Sequence, residues 1–195
     1  MATNSIATFP KVDVNICQGD VFQDVKYYYI DNEENETVEV VEFTFPMAII
    51  ISQACDVNSM GEMITEQKGK ATKFMPSILM CPIYDVEVAK KTEHISDALT
   101  TLSIEKLDGN DDVLFNSGEF RLVKNDWHYR YHALTVRVRD EIILENSLID
   151  FKHYFTVPAS YLIKNRKNRI FHLDDLFAEQ ITLKFSTYLS RVAIP

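Results

Sequence analysis

The sequence predicts a mainly β protein with some α structure: several short strands, an inserted helical segment and a C-terminal amphipathic helix packed on the sheet. Three observations predict it. Apolar and polar residues alternate with period two through much of the first half and again over 119–158, as half-buried strands require. Two continuous apolar runs, "MAIIIS" and "SILMCPIYDV", have the length of strands buried on both faces. At the C-terminus the period changes, and Leu173, Phe177, Ile181, Phe185 and Leu189 recur every four residues.

Taken in order, "VDVNICQGDVF" puts Val12, Val14 and Ile16 on one side of a first strand, with Gly19-Asp20 as a turn inside it. "VKYYYI" carries the aromatic residues that pleated surfaces favour. "DNEENE" reads as an acidic hairpin loop, and "TVEVVEFTF" pairs back until Pro46 closes it. After "MAIIIS", the polar stretch from Asp56 is a long excursion or a short helix. Pro82 bulges the next buried strand or places it at an edge. Residues 86–107 have helix-like stretches. "EFRLV", "HYRYHALTVRV" and "IDFKHYFTVP" alternate again as strands. In the final helix, Asp174 and Asp175 suit the positive N-terminus, Arg191 suits the C-terminus, and Leu176, Leu183, Tyr188 and Val192 widen the apolar stripe.

Composition narrows the function. The chain has 195 residues, 46% hydrophobic and 25% charged, enough for one domain with a sizeable core. "MATNSIATFP" lacks the basic start and apolar run of a signal peptide, and no run approaches membrane-spanning length. Three widely spaced cysteines make no disulfide framework. The expectation is a cytoplasmic protein with reduced thiols, no cofactor, no membrane association and a protein partner. A net charge of −9 disfavours a general nucleic-acid binder, whose affinity comes from neutralising phosphates. The charge is uneven, however. Residues 121–170 hold ten Lys/Arg and five Asp/Glu, a local +5 that leaves −14 for the rest.

The order "GD" (Gly19, Asp20), "FPMAIIIS", "ILMCPIYD" resembles the PemK/MazF family, whose landmarks read approximately "GD", "RPVLVVS" and "VPITS". That family consists of SH3-like β-barrels that act as messenger-cutting toxins of toxin–antitoxin pairs. The resemblance covers about residues 15–86. It implies an SH3-like (PemK/MazF-like) β-barrel, which the residue patterns place over 10–160 with a helical insertion at about 57–107 and a C-terminal helical segment, 161–195, packed on it, all within one domain, 1–195. It also implies a loss. The family's cleavage uses an arginine before the first proline and a threonine after the second, where this chain has Phe45 and Tyr84. Phenylalanine cannot stabilise a developing phosphorane charge. The ending "LKFSTYLSRVAIP", with "QGD" and "SQACD", resembles bacterial proteins of mobile and defence-type gene neighbourhoods.

Chemistry-bearing residues are few. A cysteine nucleophile would be Cys55 of "SQACD", with His132 as base and Asp56 or Asp126 orienting it. Ser52 and Gln53 of the same segment are candidate binding groups. The plainer reading makes Cys55 a small thiol ending a core strand, slow to react, and it carries more weight. Metal-ligand spacing is absent: His128 and His132 stand four apart, but in a strand rather than a helix, with Arg130 between them on the same face. The strip Trp127–Tyr131 interleaves aromatics with cations, a pattern that stacks single-stranded bases or packs across strands. Lys164, Arg166, Lys167 and Arg169 of "KNRKNR" suit phosphates or an acidic partner, or simply face solvent. The favoured function is a non-catalytic barrel, or one acting on a substrate the sequence does not name. It would work through protein contacts as an accessory component of a bacterial stress, toxin–antitoxin or phage-defence system. Its rivals are a divergent endoribonuclease or cysteine-dependent hydrolase built on "SQACD", and a nucleic-acid binding module using 121–170.

Overall fold

Gly19 turns the chain into a long strand that starts at Asp20. Gly19 has φ +84°, a conformation natural only to glycine, and its N–H donates to the Ile50 carbonyl at 3.0 Å. A Cβ there would lie 2.7 Å from the Cβ of Ala178. The computed structural model describes residues 3–10, 15–34, 37–91 and 117–191, apart from the side chains of 3–5, 31–34, 37–39 and 117. The expectations for Val12, Val14, Val192 and the helical stretch 92–107 lie outside the described residues.

The strands are β1 Thr3–Thr8, β2 Asp20–Glu34, β3 Thr37–Ile50, β4 Ser77–Asp85, β5 Tyr131–Val138, β6 Glu141–Asp150, β7 Phe155–Pro158 and β8 Arg169–Leu173. The helices are α1 Ala54–Glu66, α2 Val86–Lys90, α3 Ser117–Lys124, α4 Ala159–Lys164 and α5 Asp175–Leu189. The sheet order is β3-β2-β8-β1-β5-β6-β4-β7, and a further β3–β4 pairing closes it into a ring. β1 runs parallel to β5; the other pairings are antiparallel. The protein is therefore mainly β with several helices. No helix among the described residues is long and apolar enough to cross a membrane.

The continuous apolar runs are buried on both faces. Ile49, Ile51, Cys81 and Ile83 enter a cluster with Ala7, Val21, Val136, Ile149 and Phe171, drawn from all round the ring and joined by Ile181 and Phe185 of α5. Alternate residues, Ala48, Ile50, Ile78 and Met80, face a second cluster with Val57 and Met60 of α1 and Leu162 of α4. Period two thus feeds two cores from one strand.

Several expectations are corrected. Residues 15–19 are not strand, because Gly19 turns the chain and β2 starts only at Asp20. Pro46 does not close its strand. β3 runs on to Ile50, and the ladder omits the Asp24/Pro46 pair, where proline has no N–H to give and Asp24 takes φ +53°. Pro82 is not at an edge. It pairs with Ala48 of β3 on one side, and on the other it falls between the residues of β4 that pair with β7 and those that pair with β6. A missing N–H is tolerated in such a gap. "EFRLV" is helix α3, since Val123 is buried and Phe120, three residues earlier, packs on the same cluster. The sheet also takes in β1 and β8, beyond the 10–160 span.

The terminal helix is α5, whose N-cap Asp174 accepts the Leu176 N–H at 3.2 Å. Leu173 belongs to β8 instead. Ile181 and Phe185 are buried, but Leu176, Leu183 and Leu189 are exposed, so the apolar stripe is narrower than the sequence suggests.

Candidate functional site

"QGD" and "SQACD" meet as a structural junction. Ser52 Oγ accepts the Leu79 N–H at 2.9 Å. Gln18 Oε1 accepts the Ala54 N–H at 3.1 Å, at the start of α1, while Gln18 Nε2 donates to Thr182 Oγ1 of α5 at 2.6 Å. Gln53 is the N-cap residue of α1 and makes no side-chain cap. Cys55 does not end a core strand: it sits exposed in the first turn of α1, with Sγ 3.7 Å from Asp56 Oδ1. The chain has already left the sheet at Ile50.

His132 is drawn elsewhere. It is 4% exposed in β5, with Nδ1 2.8 Å from Asp126 Oδ1. Its Cα partners run His132, Ile149, Ile83, Met47 across β5, β6, β4 and β3, three inter-strand steps or about 14 Å. Cys55 lies a further helix entry beyond Met47, and no contact joins it to His132 among the described residues. Nor does any group of three or more His, Cys, Asp or Glu there gather to hold a metal ion. Of the basic tract, Lys164 and Lys167 are exposed and Arg166 half-buried. Arg169 is buried. Its Nη1 donates to Asp20 Oδ2 and to the Asn15 carbonyl, both at 2.9 Å.

Phe45 and Tyr84, one in each of the two apolar landmarks of the sequence, come together. Phe45 and Tyr84 share one apolar cluster, Phe45 stacks on Phe155 at 4.2 Å, and burial holds the Tyr84 hydroxyl well above the usual phenol range. Packed aromatics stand there, and the His153 ring meets Tyr84 edge-on at 6.3 Å.

A built pocket lies on another side, and the sequence strip leads to it. α3 ends in a Schellman motif: Trp127 N–H donates to the Leu122 carbonyl at 2.8 Å and Asp126 N–H to Val123 at 3.0 Å, with Asp126 left-handed at φ 59°. Lys184 of α5 donates to the Asp126 carbonyl at 3.1 Å and to its carboxylate. Burial opposes the Asp126 charge, but His132 and Lys184 hold its carboxyl below the usual range. This junction pins the segment 127–130 onto α5. The segment is not strand, so His128 and His132 do not share a strand face. Trp127 is 76% exposed.

Tyr129, Arg130, Lys152, Tyr154, Tyr188, Leu189 and Arg191 line a cavity of about 460 Å³. Arg130 is fixed by the fully buried Asp150. Its Nε donates to Oδ1 at 2.8 Å and its Nη2 to Oδ2 at 2.7 Å, a two-pronged pairing that orients the guanidinium plane. The Lys152 N–H donates to Asp150 Oδ1 at 3.0 Å, and His153 Nδ1 is 3.2 Å from Oδ2. Burial lowers the His153 and His128 pKa, favouring neutral rings near neutral pH. Arg191 lies over the Tyr129 ring at 3.4 Å. Tyr154 meets Phe185 edge-on at 5.5 Å. Three cations and three tyrosines thus line one cavity in an acidic chain. Sequence reading picks out Arg130 but misses Lys152, Tyr154, Tyr188 and Arg191, which no local pattern links. Compared with protein-family models, with curated proteins and with solved structures, the chain matches none.

Proposed function

We propose that this chain is a divergent PemK/MazF-like barrel without the cleavage pair, which holds single-stranded nucleic acid rather than cutting it. In a bacterial stress or defence system it would serve as an accessory subunit. The barrel reading is supported by the β3–β4 pairing, which sets the Pro46-led and Pro82-bearing strands side by side. The binding reading is carried by the cavity: Arg130, Lys152 and Arg191 offer charge to a phosphate, and Tyr129, Tyr154 and Tyr188 offer rings to bases. Arg130 is already matched by Asp150, so Lys152 and Arg191 carry the salt dependence, and log affinity should fall against log salt with a slope of about −1.4.

The test is fluorescence anisotropy with labelled oligo-dT and oligo-U at low salt. Lys152→Glu and Arg191→Glu change exposed groups, and Tyr154→Ala removes a ring that also packs on Phe185, so its melting temperature is measured beside its affinity. Each should weaken binding about tenfold or more, and the bound strand should remain uncut. Equal affinity in wild type and all three variants, no binding at low salt, or cleavage abolished by a point substitution would each overturn this reading.

A further inference from the structure

The β2–β3 hairpin is longer than the ring needs. The two strands pair from Val21↔Ile49 out to Glu34↔Thr37. Yet β2 pairs with β8 only over Asp20–Phe22, and β3 pairs with β4 only over Met47–Ile50. From Val25 to Phe45 the two strands pair in a ladder only with each other among the described strands. That makes a two-stranded arm roughly 30 Å long, at about 3.3 Å per residue.

The arm also carries most of the chain's charge. Residues 23–45 hold seven Asp/Glu and one Lys, −6 of the −9 total. The single lysine is already matched, with Lys26 Nζ 2.8 Å from Glu42 Oε1. One face of the arm is anchored: Tyr27 packs on Phe155 at 5.6 Å, and Phe45 does so at 4.2 Å. The opposite face is open. Tyr28 is 50% exposed, Ile30 62% and Val40 55%. Ile30 and Val40 are direct cross-strand partners, so their side chains adjoin.

We infer that this arm is a docking surface for an extended, cationic segment of a partner protein. Its apolar side chains would seat on Tyr28, Ile30 and Val40, and its lysines or arginines would answer the arm's net charge of −6. Charge complementarity selects this occupant. Nucleic acid and anionic membrane are repelled by −6, and the same arm of a second copy brings another −6. Acidic steering would also speed encounter and make it sensitive to salt.

The experiment uses the full chain and a short labelled peptide of alternating lysine and leucine, with a glutamate–leucine peptide as counterpart. The lysine peptide should bind, and its binding should weaken at high salt. It should lose about tenfold affinity in Ile30→Ser/Val40→Ser, and similarly in Glu33→Lys/Glu34→Lys. The glutamate peptide should not bind. Amide exchange should slow within residues 25–45. All the substituted residues belong to the two strands of the arm, and unchanged melting temperatures will show that the ring is intact. Binding untouched by both double variants, or protection confined to other residues, would overturn the inference. So would self-association of the wild type that both variants abolish, since the occupant would then be a second copy.

Discussion

Asp150→Asn should be among the most damaging single substitutions in this protein. Asp150 is 0% exposed and receives both prongs of Arg130, whose side chain is only 15% exposed. Asparagine keeps the volume and removes the charge. The guanidinium then stays buried with no counter-ion, and one prong meets an amide NH₂ instead of an acceptor. Removing one member of a buried pair costs about 3–5 kcal/mol. The 3₁₀ turn over Phe151–His153 loses part of its support as well, since the Lys152 N–H donates to the same carboxylate. Replacing both charges, as Arg130→Met/Asp150→Leu, removes the pair without orphaning either partner, and such swaps are often close to neutral. The double variant should therefore recover a large part of the single variant's loss. Urea unfolding followed by far-UV circular dichroism measures this, because Trp127, 76% exposed, is a poor fluorescence reporter of the core. A cost below about 1 kcal/mol for Asp150→Asn, or a double variant whose cost is the sum of the singles, would refute the reasoning.

Three further outcomes follow from the geometry. A hydrogen bond with Asp20 raises the His172 pKa, so its contribution to stability is complete below about pH 6.5 and is lost as pH rises through the raised folded value. The stability gap between wild type and His172→Gln should accordingly shrink with rising pH, and a gap that is flat or widens contradicts the assignment. Iodoacetamide should label Cys55, which is exposed, before the half-buried Cys17, and Cys81 only on unfolding. Burial raises the thiol pKa of both Cys17 and Cys81, and intact-mass time courses would detect any other order. Phe185→Ala should cost about 3–5 kcal/mol, since Phe185 is 3% exposed and packs on Phe151 and Tyr154. Leu183→Ala, at a residue 70% exposed, should stay within about 0.5 kcal/mol; similar losses for the two would place α5 differently.

Period two and apolar run length made the long hairpin and the buried strands β3 and β4 legible, because both are local patterns. β1, β6 up to Leu148 and β8 were not legible. "TNSIAT" and "RIFHL" are too short to show a period, and their place in the sheet depends on partners far along the chain. "EFRLV" misled because five residues fit either period, and only the packing of Phe120 and Val123 on one cluster decides for helix. At the site, Arg130 stood out beside Tyr129 and Tyr131. Its counter-ion Asp150 is twenty residues on, and Tyr188 and Arg191 come from α5, so no spacing rule could have joined them. Arg169 looked like part of a surface basic tract because sequence cannot show Asp20 waiting for it in the interior.

The parallel pairing of β1 with β5 bears on how the protein comes into being. Thr3 pairs with Leu134, and Ala7 with Leu173. During synthesis β1 therefore waits for β5, roughly 130 residues further along the chain, before this pairing can form. The β2–β3 hairpin can form early from local contacts, but the ring stays open, with unsatisfied edges, until β5 and β8 arrive. Such high contact order makes closure slow, and an open edge during that interval invites pairing with other chains. The acidic hairpin, extended early and strongly charged, would hold nascent copies apart while β5 and β8 are made.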